Sequence, residues 1–319
     1  MSDNRRKVGV IGVGHLGSIH AKIYANLPEA ELVGVCDVNP TTAQRVASLL
    51  NVPHYTDFTA LLPHVEAVSL AAPTSLHYAI GLACLRQGRH VLIEKPLATS
   101  LDEADALVRE AEQRRVTLQV GHVERFNAAI QAASKLLTHP KFIESHRLSP
   151  YTVRGTDVSV ILDLMIHDLD VVLAFVHSPV ARVHAVGVTV VSASEDLANA
   201  RIEFAEGTVA NLTASRVSEE AMRKIRIFQD DAYLSIDYMA QEIRSARKVN
   251  GAITRETIPI TRVQPLEEEL KAFITAIRTG QPPVVSGRAG RDALALALQI
   301  EAAIRQRPAA ASSAQAGAR

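Results

Sequence analysis

The stretch KVGVIGVGHLGSIH (residues 7–20) decides the fold. A β-branched run ends in Gly12, Gly14 and Gly17, and a helix-like segment continues from it and stops near Pro28. The spacing G-x-G-x-x-G says little alone, but between a strand and a helix it has a mechanism. The first glycine permits a tight turn, the second lets the backbone approach a pyrophosphate, and the third lets helix and strand pack closely. The amides of His15 and Leu16 at the helix start then face the pyrophosphate, favoured by the helix dipole. Asp37 ends the next strand, AELVGVCDVN (30–39), where a carboxylate can bond the adenosine ribose hydroxyls. It repels a ribose 2′-phosphate and no cation follows at Val38 or Asn39, so NAD is favoured over NADP; Arg45 weakens that preference. The bland alternative is glycines that serve packing and an Asp37 that caps the next helix.

Outward from this start, strand-like and helix-like segments alternate as far as VTLQVGH (116–122), and Ser100 with Glu103 forms a capping-box pattern. Residues 1–121 are therefore expected to form an α/β unit, a Rossmann-type doubly wound parallel sheet. From residue 122 to 307 the pattern changes to antiparallel hairpins and two closing helices, an α+β domain with a large, mostly antiparallel open sheet. Residues 308–319, PAAASSAQAGAR, read as a flexible tail. An open sheet needs its free face covered, which predicts a homodimer or homotetramer through the C-terminal sheet.

The chain has 319 residues, enough for two domains, with 34 basic and 34 acidic side chains. No global field draws it to nucleic acid or to anionic lipid, and no apolar run is long enough to span a membrane. Cys36 and Cys84 lie in apolar surroundings and no signal peptide precedes the first strand, which fits a cytoplasmic protein with both cysteines in the core.

Two further stretches carry chemistry. HVLIEKPLA (90–98) places Glu94 and Lys95 at the carboxyl end of a parallel strand, the edge where such sheets bind ligands, and Pro96 holds Lys95 extended. Lys95–Pro96 is a candidate cis bond. AAPTSLH (71–77) ends the preceding strand similarly, so Ala72, Thr74 and His77 are candidates to line the same cleft. VILDLMIHDLDVVLAF (160–175) is apolar yet carries four ionisable groups. At about 100° per residue on an α-helix, Asp163, His167 and Asp170 fall on one stripe and Asp168 lies off it. A carboxylate one turn from an imidazole can orient the ring, fix its tautomer and favour its protonated form. A self-satisfied structural pair is the alternative, and a two-carboxylate, one-histidine metal site would be cramped, so no metal is expected.

Together the glycine loop, Asp37, EKP and the later Asp-x-x-x-His resemble the glucose–fructose oxidoreductase / inositol dehydrogenase family (Gfo/Idh/MocA) over nearly the whole chain. The resemblance implies that Lys95, Asp163 and His167 form the catalytic group of an oxidoreductase moving a hydride between a sugar alcohol and nicotinamide. His167 would take the proton, Asp163 would hold its pKa in range, and Lys95 would stabilise the charge developing on oxygen. GHVERFNAA (121–129) and RGTDVSVILDLMIHDLD (154–170) are similar to the subgroup of UDP-N-acetylglucosamine 3-dehydrogenases, which implies oxidation at C3 to a 3-keto nucleotide sugar. Arg125, Asn127 and Arg154 join Lys95 and His167 as candidate substrate-binding residues, with Arg154 on a diphosphate. His122 reads as cleft-lining. The alternatives are an inositol or free-sugar dehydrogenase, and a non-catalytic NAD-binding regulator.

Overall fold

A computed structural model describes residues 5–151 and 158–306. Arg154 and the segment 308–319 lie outside the described residues.

The glycine-terminated strand forms the middle of a six-stranded parallel sheet. Its strands are β1 (Arg6–Ile11), β2 (Ala30–Cys36), β3 (His54–Tyr55), β4 (Ala67–Leu70), β5 (His90–Glu94) and β6 (Leu118–Gly121), in the order β3-β2-β1-β4-β5-β6. The order reverses at β1 and β4, the switch point outside which such sheets bind ligands. The connecting helices are α1 (His15–Asn26), α2 (Pro40–Leu50), α3 (Phe58–Leu61), α4 (Thr74–Arg86) and α5 (Leu101–Arg114). Their starts follow local chemistry: Asn39 and Asp57 accept amides of α2 and α3, and Ser100 accepts the Glu103 amide at α5. Cys36 and Cys84 are buried and unbridged, as expected of core cysteines.

After a short helix, α6 (Ala128–Ser134), the chain builds an eight-stranded sheet. It comprises β7 (Pro140–Leu148), β8 (Val180–Val188), β9 (Leu197–Phe204), β10 (Val209–Ser215), β11 (Met222–Gln229), β12 (Ala232–Asp237), β13 (Glu242–Val249) and β14 (Ala252–Ile258). The order is β14-β13-β12-β11-β7-β10-β9-β8, antiparallel except where β10 runs parallel to β7. Alternate residues face one core: Ala198, Ala200 and Ile202 of β9, Ala210 and Leu212 of β10, Ile225 and Ile227 of β11. The helix α7 (Ile166–Phe175) joins the same core through Ile166, Leu169 and Val172.

The closing helices are α8 (Pro265–Thr279) and α9 (Gly287–Arg305). Although α8 follows the second sheet in the chain, it buries Leu270, Phe273 and Ile274 against Val8, Val10 and Leu92 of the first. Between the helices the chain meets β6, where the Val120 amide donates to the Val285 carbonyl at 3.0 Å. The first sheet ends at Gly121 and the second begins at Pro140, while α8 packs on the first.

Asp168, off the expected stripe, has its own partner. Arg147 of β7 donates to it at 2.7 and 3.2 Å and to Glu124 at 2.9 Å, with all three side chains buried. The guanidinium also lies 5.2 Å from the centre of the Tyr238 ring. Two carboxylates share one cation and its fork of donors, which permits their burial. Removing the cation would leave both uncompensated. Arg147→Met should therefore lose about 3–5 kcal/mol of stability in urea unfolding; a loss within experimental error would show that the cluster holds nothing together.

Candidate active site

The three glycines behave differently. Gly12 has φ of +82°, and a Cβ there would lie 2.7 Å from the Ala72 amide nitrogen. At Gly17 a Cβ would lie 1.8 Å from the Gly12 carbonyl, so helix and strand touch there. At Gly14 a Cβ would meet nothing within 4 Å. That open cradle sits at the start of α1, which has no side-chain cap, while His15 and Leu16 are exposed. A pyrophosphate fits these features: space over the backbone, amides without a cap, and a helix dipole aimed at it. Asp37 accepts the Val13 amide and the Asn39 amide, each at 2.9 Å, which ties the glycine turn to the end of β2. Val38 beyond it is 84% exposed.

At the end of β5 the Lys95–Pro96 bond is cis, as the sequence suggested. Lys95 Nζ donates to the Asp163 carbonyl at 2.7 Å and to its carboxylate at 3.1 Å. This contact brings the lysine of the first domain onto the helix of the second.

The helix itself departs from expectation. Residues Ile161–Met165 form a π-helical turn before α7 begins at Ile166. A π-turn closes its hydrogen bonds over five residues instead of four, so positions i and i+4 no longer stack. Asp163 consequently turns to Lys95, and among the described residues no hydrogen bond joins it to His167. The expected Asp163–His167 pairing is corrected on this ground. His167 is instead set edge-on to His122, with ring centres 6.2 Å apart. Burial, together with the nearby positive charge of Lys95 and Arg147, holds its imidazole well below the ordinary value. The ring is therefore neutral near pH 7, the form that can accept a proton.

Other expected site residues are turned elsewhere. His77 is buried, with its ring nitrogens 2.8 Å from the Pro96 carbonyl and 2.9 Å from the Ala72 carbonyl. It fastens the two loops together and has no ring atom left for a cofactor; Thr74 next to it begins α4 and is half-buried. The Glu94 carboxylate is turned inward, 3.2 Å from His20 Nε2, so a cofactor contact from Glu94 would come from its backbone. Asn127 is buried: its amide nitrogen donates to Tyr238 O and Glu124, and its oxygen caps α6. It is not available as a substrate ligand. Arg125 reaches Asp170 at 3.4 Å and lines a cavity between α7 and α9, away from Lys95. Asp170 thus has a cation partner, and among the described residues no cluster of His, Cys, Asp or Glu could hold a metal ion.

Sequence reasoning missed the polar layer beneath the site. His20 joins Ser69 at 2.7 Å as well as Glu94, and Glu269 is fully buried near Glu94 with both carboxylate oxygens unpartnered among the described residues. His20 and Ser69 stand 49 positions apart in the chain, a pairing that leaves no periodic trace.

Comparisons with known proteins agree with this arrangement. Residues 6–122 match an oxidoreductase family with an NAD-binding Rossmann fold, and residues 137–235 match the C-terminal domain of the same family. The chain is 40% identical over 305 residues to UDP-N-acetylglucosamine 3-dehydrogenase of Acidithiobacillus ferrooxidans, covering 93% of this chain and 97% of that protein. A solved structure of that enzyme superposes with a TM-score of 0.90 at 39% identity, covering 94% of this chain and 98% of the other. A myo-inositol 2-dehydrogenase of Thermotoga maritima is 28% identical over 318 residues, covering 91% and 93%. Fold and site define an NAD-binding oxidoreductase with a lysine and a histidine at the sheet edge. The chain belongs to the Gfo/Idh/MocA family. Among the described residues no helix is long and apolar enough to cross a membrane.

Two outcomes follow. Gly17→Ala should destabilise the protein without cofactor, because its Cβ meets backbone, whereas Gly14→Ala should leave stability nearly unchanged and weaken NAD binding by on the order of tenfold. Thermal melts and NAD titration of both variants check this. Glu269 has its carboxyl raised well above the ordinary value, mainly by burial and then by Glu94 and Asp170. The folded state therefore binds its proton more tightly than the unfolded state, and stability falls as pH rises above the unfolded value of about 4.3. Glu269→Gln should remove that loss, giving a melting-temperature gain over wild type that grows from about pH 5 to pH 8.

Proposed function

We propose that the protein is a UDP-N-acetylglucosamine 3-dehydrogenase, oxidising the sugar C3 hydroxyl to a ketone with NAD. The observation that carries this is the convergence of Lys95, Asp163 and a neutral His167 beside the strand ends, in a chain similar over nearly its whole length to an enzyme of that name.

Bound NAD supplies a hydride acceptor. Lys95, fixed by the carbonyl and carboxylate of Asp163, places a positive charge where the hydroxyl oxygen becomes negative. His167 takes the hydroxyl proton as general base, and its neutral state at rest suits that role. Asp163 acts by holding the lysine, not by charging the histidine. Asp37, with exposed Val38 after it, favours the ribose hydroxyls of NAD over a 2′-phosphate.

We also place the protein in the cytoplasm as a homodimer or homotetramer through the open face of the second sheet. Phe228 is 40% exposed there, between Phe142 at 5.9 Å and Tyr233 at 4.8 Å with the rings tilted, an aromatic row suited to a second copy.

The test is incubation of pure protein and NAD with UDP-N-acetylglucosamine, its uronic acid, free inositols and hexoses. Product is read by mass spectrometry as loss of two hydrogens, and 2-oxoglutarate with an aminotransferase draws a 3-keto product forward. Oxidation of UDP-N-acetylglucosamine alone is expected, and His167→Asn should reduce it by a factor of about 100 or more while keeping NAD affinity. Oxidation of a free polyol instead would overturn the nucleotide-sugar assignment. NAD binding with no turnover of any sugar would favour a regulator.

A further inference from the structure

Oxidising an alcohol releases a hydride and a proton. A bound nicotinamide would accept the hydride, and under the reading above the proton would rest on His167 until the protein disposed of it. Its Nδ1 is buried and without a partner among the described residues. The ring of His122, 1% exposed, lies with its centre 6.2 Å from that of His167 and at 88° to it, and neither of its nitrogens is partnered. Beyond lies Asp170, 2% exposed, one carboxylate oxygen receiving Arg125 and the other unpartnered. Asp170 and Arg125 in turn line a cavity of about 660 Å³ between α7 and α9, together with His177, Asp292 and Gln299.

Buried polar atoms without protein partners are satisfied by ordered water in folded proteins. Four such atoms mark a path here: His167 Nδ1, both nitrogens of His122, and Asp170 Oδ2. They run from His167 to Asp170, which lines the cavity between α7 and α9. The sequence spacing is consistent with that path, since His167, Asp170 and His177 recur at intervals of three and seven.

We propose that His122 and Asp170, linked by water, form a proton relay that carries the proton taken up by His167 to the cavity between α7 and α9. It rests on the dehydrogenase reading above. The hydroxyl proton binds one nitrogen of His167, and the opposite nitrogen gives up a proton to His122. His122 passes one to the Asp170 carboxylate, which releases it to buffer in the cavity. One proton enters and one leaves, and no electrons move.

The charges around the path suit it. His122 faces Asp170 from α7, Lys95 and Glu94 from the end of β5, and Arg125 from its own turn; burial holds it below its ordinary value. Asp170 faces His122 and Arg125, with Glu269 of α8 nearby, and burial raises its carboxyl. His167 faces Lys95, Arg147, His122 and Arg223. Imidazoles pushed down and a carboxyl pushed up bring the proton affinities together, the condition for rapid transfer between unlike groups.

The test is a stopped-flow measurement on the full chain with NAD and whichever sugar it oxidises, in weak buffer with a pH-indicator dye. NADH absorbance and proton release are followed together for wild type, His122→Phe and Asp170→Asn. In wild type both signals should rise in step. In the variants the first-turnover NADH signal should persist while proton release lags by on the order of tenfold, and imidazole should restore the release in His122→Ala. Release that keeps pace with NADH in the variants would overturn the relay. No NADH from wild type with any sugar would instead fail the dehydrogenase reading, and the relay with it. Should Asp170→Asn not fold, His122→Phe carries the kinetic test. A second readout needs no turnover: in the cofactor-free protein, nitrogen NMR should show the His122 titration moving to lower pH in Asp170→Asn, and an unmoved midpoint would also overturn the proposal.

Discussion

The contact between Lys95 and Asp163 is the constraint on which the site depends. The lysine leaves the end of a strand in the first sheet, and the aspartate sits in an irregular turn packed on the second. An ammonium with three donors, held by a carbonyl and a carboxylate, can point in few directions. The two halves of the chain therefore meet with the cation already aimed, and a reacting oxygen would find its counter-charge in place without reorganisation.

The π-turn decides what each ionisable group on the helix can do. Had the chain remained α-helical from Asp163, the carboxylate would lie over His167 and raise its affinity for protons. Displaced by the extra residue in the turn, it serves the lysine, and His167 is left to burial and to nearby positive charges, which hold its imidazole low. One change in backbone hydrogen bonding thus separates the partners of the two side chains. The same helix carries Asp168 to Arg147 and Asp170 to Arg125, so four adjacent polar residues serve four different partners.

Burial of so much polar chemistry is supported by packing around it. The apolar residues of α7 and the alanines of β9 and β10 share one core, and the closing helices return to cover both layers. His20, Ser69 and Glu94 form a polar layer under the nucleotide-binding edge, where side chains from α1, β4 and β5 meet. Such a layer rigidifies the edge if satisfied and is sensitive to pH where it is not, as at Glu269.

The sequence by itself determined the parallel sheet, the glycine turn, the Ser100 helix cap and the large mostly antiparallel sheet. These are carried by local patterns: alternation, the spacing of glycines, and a serine three residues before a glutamate. Only the tertiary structure decided the partnerships. Asp163 pairs with Lys95 across 68 residues, Arg147 with Asp168 across 21, and Asn127 with Tyr238 across 111. His77, Asn127 and Glu94 were plausible ligands by position and proved to be turned inward, because a neighbouring carbonyl or ion satisfied them first. Helical spacing specifies which residues share a face only while the hydrogen-bond period holds. Where the backbone opened into a π-turn, the face changed, and with it the chemistry.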